Sequence, residues 1–411
     1  MSAFPRLLFA PVLAVAVSLL GVASACRNAS PPPDATPSPA PAPAADGSQA
    51  PLIGAGRLRI EGTHFVKPDG NAFEWRGITA FRLVDLVADG QEDQAAKYLT
   101  WAASQGLTIV RVLTMSGSLF DLRPEDGRRA LPRMLELAAA RGLRVEVVAL
   151  ADTLAVPVNL QEHVDEIGRI VTAHPNAVIE IANEPVHPSQ SAEVHKPDVL
   201  AALAARLPPE IPVALGSIER GDGFGAGGYI TWHVPRESGS GGWGHVLALA
   251  PGAELVTRWK KPVVSDEPIG AGPVFQPGRR DDLPARFRAA GLLTRLTGLG
   301  ATYHYEAGLH ARMPAGRELE CFDAWNEAWT LLPPGVERLG VFRAGGTPES
   351  IVNAFDRGAI LGVYERSDAV TGWILVLGDE AAGLTLKNGW TVRETRRIDG
   401  GRLLSVSRSA A

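Results

Sequence analysis

From residue 57 to about residue 335, short apolar runs rich in β-branched residues alternate with longer stretches whose apolar positions recur at helical spacing. The strand-like runs fall at 76–81, 109–114, 144–150, 178–183, 213–217, 229–233, 263–265 and 301–305. Helical stretches follow them at 91–105, 124–141, 158–173, 197–206, 253–260 and 281–298, with a last one at 321–332. The segment 129–142 keeps Ala, Leu and Met on one face and Arg and Glu on the other, as a helix packed on a sheet requires. Only the Gly-rich 218–228 lacks a long helix and reads as a loop. Ahead of the first unit, Leu58-Arg-Ile, Phe65-Val, the turn Lys67-Pro-Asp-Gly and Phe73-Glu-Trp outline a short hairpin.

Eight such β/α units in about 270 residues predict a closed parallel (β/α)₈ TIM barrel. A doubly wound open sheet is the alternative, but no G-x-G-x-x-G follows the first strand. After residue 336 the helical period stops. Short strand-like runs at 341–342, 359–364, 372–377, 391–395 and 403–406 predict a small, β-sandwich-like domain over 336–411.

The first 56 residues follow neither pattern. Arg6, an apolar run from Leu7 to Leu20 and Ala23-Ser24-Ala25 before Cys26 form a signal-peptide pattern over 1–26. Cys26 resembles the lipidated cysteine of bacterial lipoproteins, although Ala23 stands where such signals usually carry Leu. Residues 27–56 are a Pro/Ala-rich linker, with eight prolines between 27 and 51, and would act as a spacer. The expected location is outside the cytoplasm, lipid-anchored at the cell envelope or secreted, with contact to a membrane only through that anchor.

Composition excludes more than it selects. The net charge of -5, without a long basic run, argues against a nucleic-acid partner. Cys26 and Cys321 are the only cysteines, and the nine histidines are scattered, so no metal site or cofactor is expected. Monomeric behaviour is expected.

The chemistry concentrates at strand ends, where the working residues of such barrels sit. The fourth strand ends in Asn183-Glu184-Pro185 and the seventh in Asp266-Glu267-Pro268. Glu184 and Glu267 are 83 residues apart, three β/α units of about 28 residues each. That spacing lets the two carboxylates converge across the barrel mouth. Because side chains alternate along a strand, only one of Asp266 and Glu267 is expected to face the mouth. On the second strand, Arg111 can hold a carboxylate ionised.

Two converging carboxylates suit glycosidic cleavage: one protonates the leaving oxygen while the other meets the anomeric carbon. A separation of about 5–5.5 Å gives retention of configuration, and a wider gap gives inversion. Asn183 would bond the sugar 2-hydroxyl. His233, ending the sixth strand, is a further candidate, and Trp232 and Trp243 are candidate sugar-stacking platforms, with 239–244 as a loop over the cleft. Asp152 ends the third strand.

These residues carry a resemblance to the retaining glycoside hydrolases on (β/α)₈ barrels, and within them to family 5, the cellulase-like group. The opening Phe65-Val-Lys-Pro-Asp-Gly70-Asn-Ala-Phe-Glu-Trp-Arg-Gly77-Ile is similar to that family's first hairpin and strand. Arg111, Asn183-Glu184-Pro185 and Glu267 stand where its arginine, acid/base pair and nucleophile belong. The resemblance spans roughly 57–333 and implies Glu184 as acid/base, Glu267 as nucleophile, no metal and an oligo- or polysaccharide substrate. Three positions depart from the pattern. The family's His-x-Tyr on the sixth strand is here His233-Val-Pro, leaving Tyr303 or Tyr305 to replace the tyrosine. Tyr303-His304-Tyr305-Glu306 stands where a tryptophan commonly floors the sugar site, and Ala151-Asp152 replaces a histidine. A barrel that keeps its cleft but only binds carbohydrate is the competing reading. An aldolase or metal hydrolase would want a buried lysine or a histidine cluster at strand ends, and neither occurs.

Overall fold

The computed structural model describes residues 56–217, 223–233, 243–267, 270–271 and 283–409. The targeting segment, Cys26 and nearly all of the linker lie outside them. A small antiparallel hairpin, β1 (Arg59–Glu61) and β2 (His64–Val66), precedes the main sheet. The expected second turn is also present: Gly70 donates to the Lys67 carbonyl, and Phe73 returns to bond Phe65.

Eight parallel strands form the main sheet: β3 (Arg76–Thr79), β4 (Ile109–Leu113), β5 (Arg144–Leu150), β6 (Ala177–Ala182), β7 (Val213–Gly216), β8 (Ile230–Trp232), β9 (Val263–Ser265) and β11 (Gly300–Tyr305). The short β10 (Gly270–Ala271) pairs with the end of β11. Pairing runs β7-β6-β5-β4-β3-β11-β9-β8, so the sheet curls until its outer strands meet. There Gly228 and Tyr229 donate to the Val213 carbonyl, and the TIM barrel is nearly closed. The strands are buried on both faces, which explains their unbroken apolar runs.

Helices α1 (Leu83–Ala88), α2 (Glu92–Ser104), α3 (Pro124–Ala139), α4 (Leu160–Ala173), α5 (Pro197–Ala204), α6 (Trp243–Leu247), α7 (Gly252–Trp259), α8 (Pro284–Thr297), α9 (Glu306–Leu309), α10 (Arg317–Asn326) and α11 (Ala328–Leu331) accompany the barrel. Proline opens α3, α5 and α8, where a missing N–H costs nothing. Asn159 caps α4 by accepting from the Glu162 N–H. The six-residue α1 is too short to show a helical period in sequence.

The barrel floor is apolar. Trp75, Ile109, Val178, Ala214, Tyr229 and Val264 point inward and meet Leu58 and Phe65 of the hairpin, which closes that end.

The C-terminal strands are β12 (Val341–Ala344), β13 (Val352–Phe355), β14 (Ile360–Ser367), β15 (Thr371–Gly378), β16 (Leu384–Leu386), β17 (Trp390–Ile398) and β18 (Gly401–Arg408). Five form an antiparallel sheet ordered β12-β14-β15-β18-β17, and β13 pairs with β16. Alternation serves two faces. Val363, Ile374, Val376 and Leu404 pack on the β13–β16 ribbon, while Tyr364, Leu375, Leu377 and Leu403 join the core that runs through the barrel helices.

Candidate active site

Above the apolar floor, the middle of the barrel is ionic. Arg111, on β4, is 1 % exposed and reaches four carboxylates. Its Nη1 donates to Glu267 Oε1 at 2.8 Å. Its Nη2 and Nε donate to Glu180 Oε2 at 2.7 and 3.0 Å. Nη2 also donates to Asn183 Oδ1 at 2.9 Å and lies 3.2 Å from Asp266 Oδ2. Glu146 Oε2 is 3.6 Å from Nε. The Phe81 ring packs under the guanidinium, 5.2 Å from its centre.

Burying one cation with four acids forces the charges to settle unequally. Burial alone would lower the Arg111 guanidinium, but Glu180, Asp266 and Glu267 outweigh it and hold it well above its ordinary value. Burial, then the nearby Glu180, raises Glu146 well above the usual carboxylate range. Tyr229 and Thr231 satisfy this pair, donating to Glu146 Oε1 at 2.8 Å and Glu180 Oε1 at 2.9 Å. Burial pushes Glu180 up to about 7 despite Arg111. Asp266 goes the other way: burial would raise it, but His233 and Arg111 hold it below the ordinary aspartate value.

At the rim, one carboxylate oxygen of Glu184, one of Glu267 and one ring nitrogen of His233 all lie within 4.8 Å of one another. His233 stands between the acids. Its Nδ1 is 3.3 Å from Glu184 Oε1, and its Nε2 is 3.3 Å from Asp266 Oδ1 and 3.7 Å from Glu267 Oε1. Burial opposes its charge, yet Glu267 and Asp266 raise it well above the ordinary histidine value. The same triad could offer three donors to a metal. Both ring nitrogens of His233 already lie at ion-pair distance from carboxylates, however, so this donor set fits an ion-paired carboxylate site better.

Glu184 takes a left-handed backbone, φ 39°, at the turn after β6. For a residue with a Cβ this costs on the order of 1–2 kcal/mol, which the surrounding packing must offset. Gly216, ending β7, makes room for that turn. A Cβ there would lie 2.3 Å from Pro185 Cγ and 2.6 Å from the Ala182 carbonyl oxygen.

Two of the sequence expectations are revised by geometry. Asp266 and Glu267 both reach the ionic centre, because β9 ends at Ser265 and the chain bends just where alternation was applied. Both Asp266 oxygens sit at ion-pair distance without hydrogen-bond alignment to any described residue. The aromatic candidates, by contrast, face away from the mouth. Thr231 and His233 point inward, so Trp232 points outward against Gly252 and Leu299. Trp243 opens α6 with its ring against Gly400 in the β17–β18 turn. Residues 239–242 of the expected loop lie outside the described residues.

Tyr303 and Tyr305 also leave the barrel interior. Tyr303 packs among Phe287, Phe322 and Trp325 and donates to the Glu318 carbonyl. The Tyr305 hydroxyl donates to the Arg312 carbonyl and meets the Tyr98 hydroxyl at 2.9 Å. The inward residue between them is His304. Its Nδ1 bonds Thr79 Oγ1 at 2.9 Å, and its Nε2 lies 3.8 Å from Glu267 Oε2.

Asp152, another left-handed residue with φ 52°, turns its Oδ2 to the loop after β4. It accepts from Ser116 Oγ, the Gly117 and Ser118 N–H groups and Ser118 Oγ. Glu146, Glu180, Thr231, Tyr229 and His304 were not singled out from sequence. For the first two a signal existed: each is a lone acid inside a strand whose other interior residues are apolar.

No protein-family model matches the chain. No curated protein matches it either. Solved structures do. A glycoside hydrolase family 5 structure from Bacteroides vulgatus is similar with a TM-score of 0.53 at 13% identity, over 87% of this chain and 94% of that one. A second glycoside hydrolase is similar with a TM-score of 0.52 at 13% identity, over 87% of this chain and 98% of that one. That share of the chain exceeds the barrel alone, so the likeness extends into the C-terminal strands. The fold is therefore that of family 5 glycoside hydrolase structures, a TIM barrel followed by a small antiparallel β region.

Proposed function

We propose that the protein is a retaining glycoside hydrolase that cleaves a β-linked oligo- or polysaccharide outside the cytoplasm. The observation that carries this reading is the approach of Glu184 and Glu267 to within 4.8 Å at the mouth of a barrel. That closeness favours direct attack by a carboxylate over the wider gap that admits a water. The shared fold of known glycoside hydrolases supports the same class.

Arg111 holds the Glu267 carboxylate ionised and aimed. In the first step a Glu267 oxygen bonds the anomeric carbon as the glycosidic C–O bond breaks. Glu184 gives its proton to the departing oxygen. Glu184 Oε1 lies 3.3 Å from His233 Nδ1, so the imidazole is the group with which the acid can share this proton. In the second step Glu184 takes a proton from water, whose oxygen attacks the anomeric carbon and frees Glu267. Asn183 already accepts from Arg111, so its amide nitrogen is the group able to donate to a sugar hydroxyl.

A panel of fluorogenic β-glycosides tests the assignment. Glu184→Ala is expected to lose about 10²–10⁴-fold in kcat. Glu267→Ala should regain turnover with azide, giving a glycosyl azide of inverted configuration. Wild-type protein that binds sugars but turns over no glycoside would leave only the carbohydrate-binding reading.

The targeting pattern at 1–26 supports export with Cys26 acylated. Mass spectrometry of the mature N-terminus should find a lipid-modified Cys26. A chain cut after Ala25 with an unmodified cysteine would mean simple secretion.

A further inference from the structure

The mouth of this barrel is built asymmetrically. Glu184, His233 and Glu267 occupy the ends of β6, β8 and β9. Over β3, β4, β5 and β11 the same level is filled by buried apolar side chains: Phe81, Leu113, Val148, Ala151 and Leu309, with Leu119 and Phe120 packed on them. The loop after β4 and the short α9 bring Leu119, Phe120 and Leu309 onto this cluster. The loop is anchored, since Asp152 Oδ2 takes four donors from Ser116, Gly117 and Ser118, and Ser116 bridges to Leu122.

The wall stands behind the nucleophile rather than the acid. Phe81 packs on Arg111 and lies 6.2 Å from the His304 ring, and both of those residues adjoin Glu267. Glu267 is accordingly 4 % exposed at its side chain, against 21 % for Glu184. A sugar whose anomeric carbon meets Glu267 therefore has packed apolar side chains beyond it, whereas its leaving group departs past the more open acid. A linear glycan crossing the mouth needs an exit on both sides, and among the described residues this apolar cluster fills one of them.

We propose that the site takes a single sugar at the non-reducing end of a β-linked chain and releases it, acting on chain ends and not within chains. The inference rests on the glycoside hydrolase reading above and narrows it. Short β-linked gluco-, manno-, galacto- and xylo-oligosaccharides labelled at the reducing end provide the test, beside cross-linked chromogenic polysaccharides of the same sugars. The full-length protein should shorten the labelled chains one sugar at a time and release no dye from the cross-linked polymers. First products from mid-chain cleavage, or dye release, would overturn the chain-end inference and leave the glycosidase reading standing. No turnover on any of the substrates would overturn both.

Leu119→Ala with Phe120→Ala opens the wall at two half-buried side chains that pack on its apolar cluster. In a variant with wild-type circular dichroism, the share of two-sugar products should rise about tenfold, the scale expected when small apolar groups leave a pocket wall. An unchanged product pattern in that folded variant would show that the wall does not set the product.

Discussion

Buried groups tie the stability of this protein to pH, and their signs can be worked out one by one: Glu146, raised by burial and then by Glu180, acts as Glu180 does, while His163, lowered to about 4 by burial, acts the other way below its ordinary 6.5. Glu180 titrates near 7 in the fold against an ordinary 4.5, because burial outweighs Arg111. A raised carboxyl keeps its full contribution below the ordinary value and loses it as pH climbs through the folded one. His233, lifted by Glu267 and Asp266 against its burial, has the same sign, with the loss falling above its ordinary 6.5. Asp266 has the opposite sign, since His233 and Arg111 overcome its burial, and its share is lost only as pH falls below 3.8. The melting temperature should therefore decline from pH 5 to pH 8. One group can contribute at most about 1.4 kcal/mol per pH unit to that slope. Glu180→Gln lowers the midpoint by weakening the Arg111 pair, but it should flatten the decline. A slope identical to that of the wild type, measured by calorimetry, would contradict the placement of a titrating Glu180 in the barrel interior.

At the scale of elements, β11 makes the sharpest distinction. Parity puts His304 inside beside Glu267 and both neighbouring tyrosines outside among the helices. Tyr303→Ala should cost about 3–5 kcal/mol of stability, as expected for emptying an aromatic core site. The pH profile of the surviving activity should stay as it is. His304→Ala should fold normally and lose about ten- to a hundredfold in kcat with a shifted pH profile, because it removes a ring beside the Glu267 carboxylate. If instead Tyr303→Ala moves the profile and His304→Ala does not, the strand is in the other register.

That same parity explains what was readable beforehand. Eight strands, the long helices and the hairpin followed from periodicity, because apolar burial imposes it directly. Glu184 and Glu267 stand out in the sequence because polar residues at strand ends have no packing reason to be there, and Arg111 because it is a charge inside an apolar strand. The orientation of Trp232, Tyr303 and Tyr305 was not, since a shift of one residue inverts a strand and nothing local marks its first inward position. The choice between Asp266 and Glu267 failed for a different reason. Alternation applies within a strand, and β9 has already ended. Trp243 depended on a contact with Gly400, 157 residues along, which no local pattern encodes.

For the whole molecule, the question is whether the C-terminal strands are a separate body. A change of pattern near residue 336 suggested a small domain beside a barrel. The structure has an antiparallel sheet there, and one face of that sheet shares its core with the barrel helices. Leu375, Leu377, Leu403 and Ile398 of the sheet belong to the same continuous core as Leu292, Leu293 and Leu296 of α8. Polar contacts cross at the same place: Arg366 Nη1 donates to the Leu296 carbonyl at 2.8 Å, and Arg288 pairs with Asp399 at 3.2 Å. Removing the sheet would leave a face of α8 in water, and α8 packs on β11, which carries His304. The two parts should therefore unfold in one transition rather than two. Leu375→Ala, at a fully buried position, should cost about 2–5 kcal/mol. That loss should appear equally in catalytic inactivation on heating and in far-ultraviolet circular dichroism. Two separated calorimetric transitions, with only the one unrelated to activity moved by Leu375→Ala, would show that the barrel stands without the sheet.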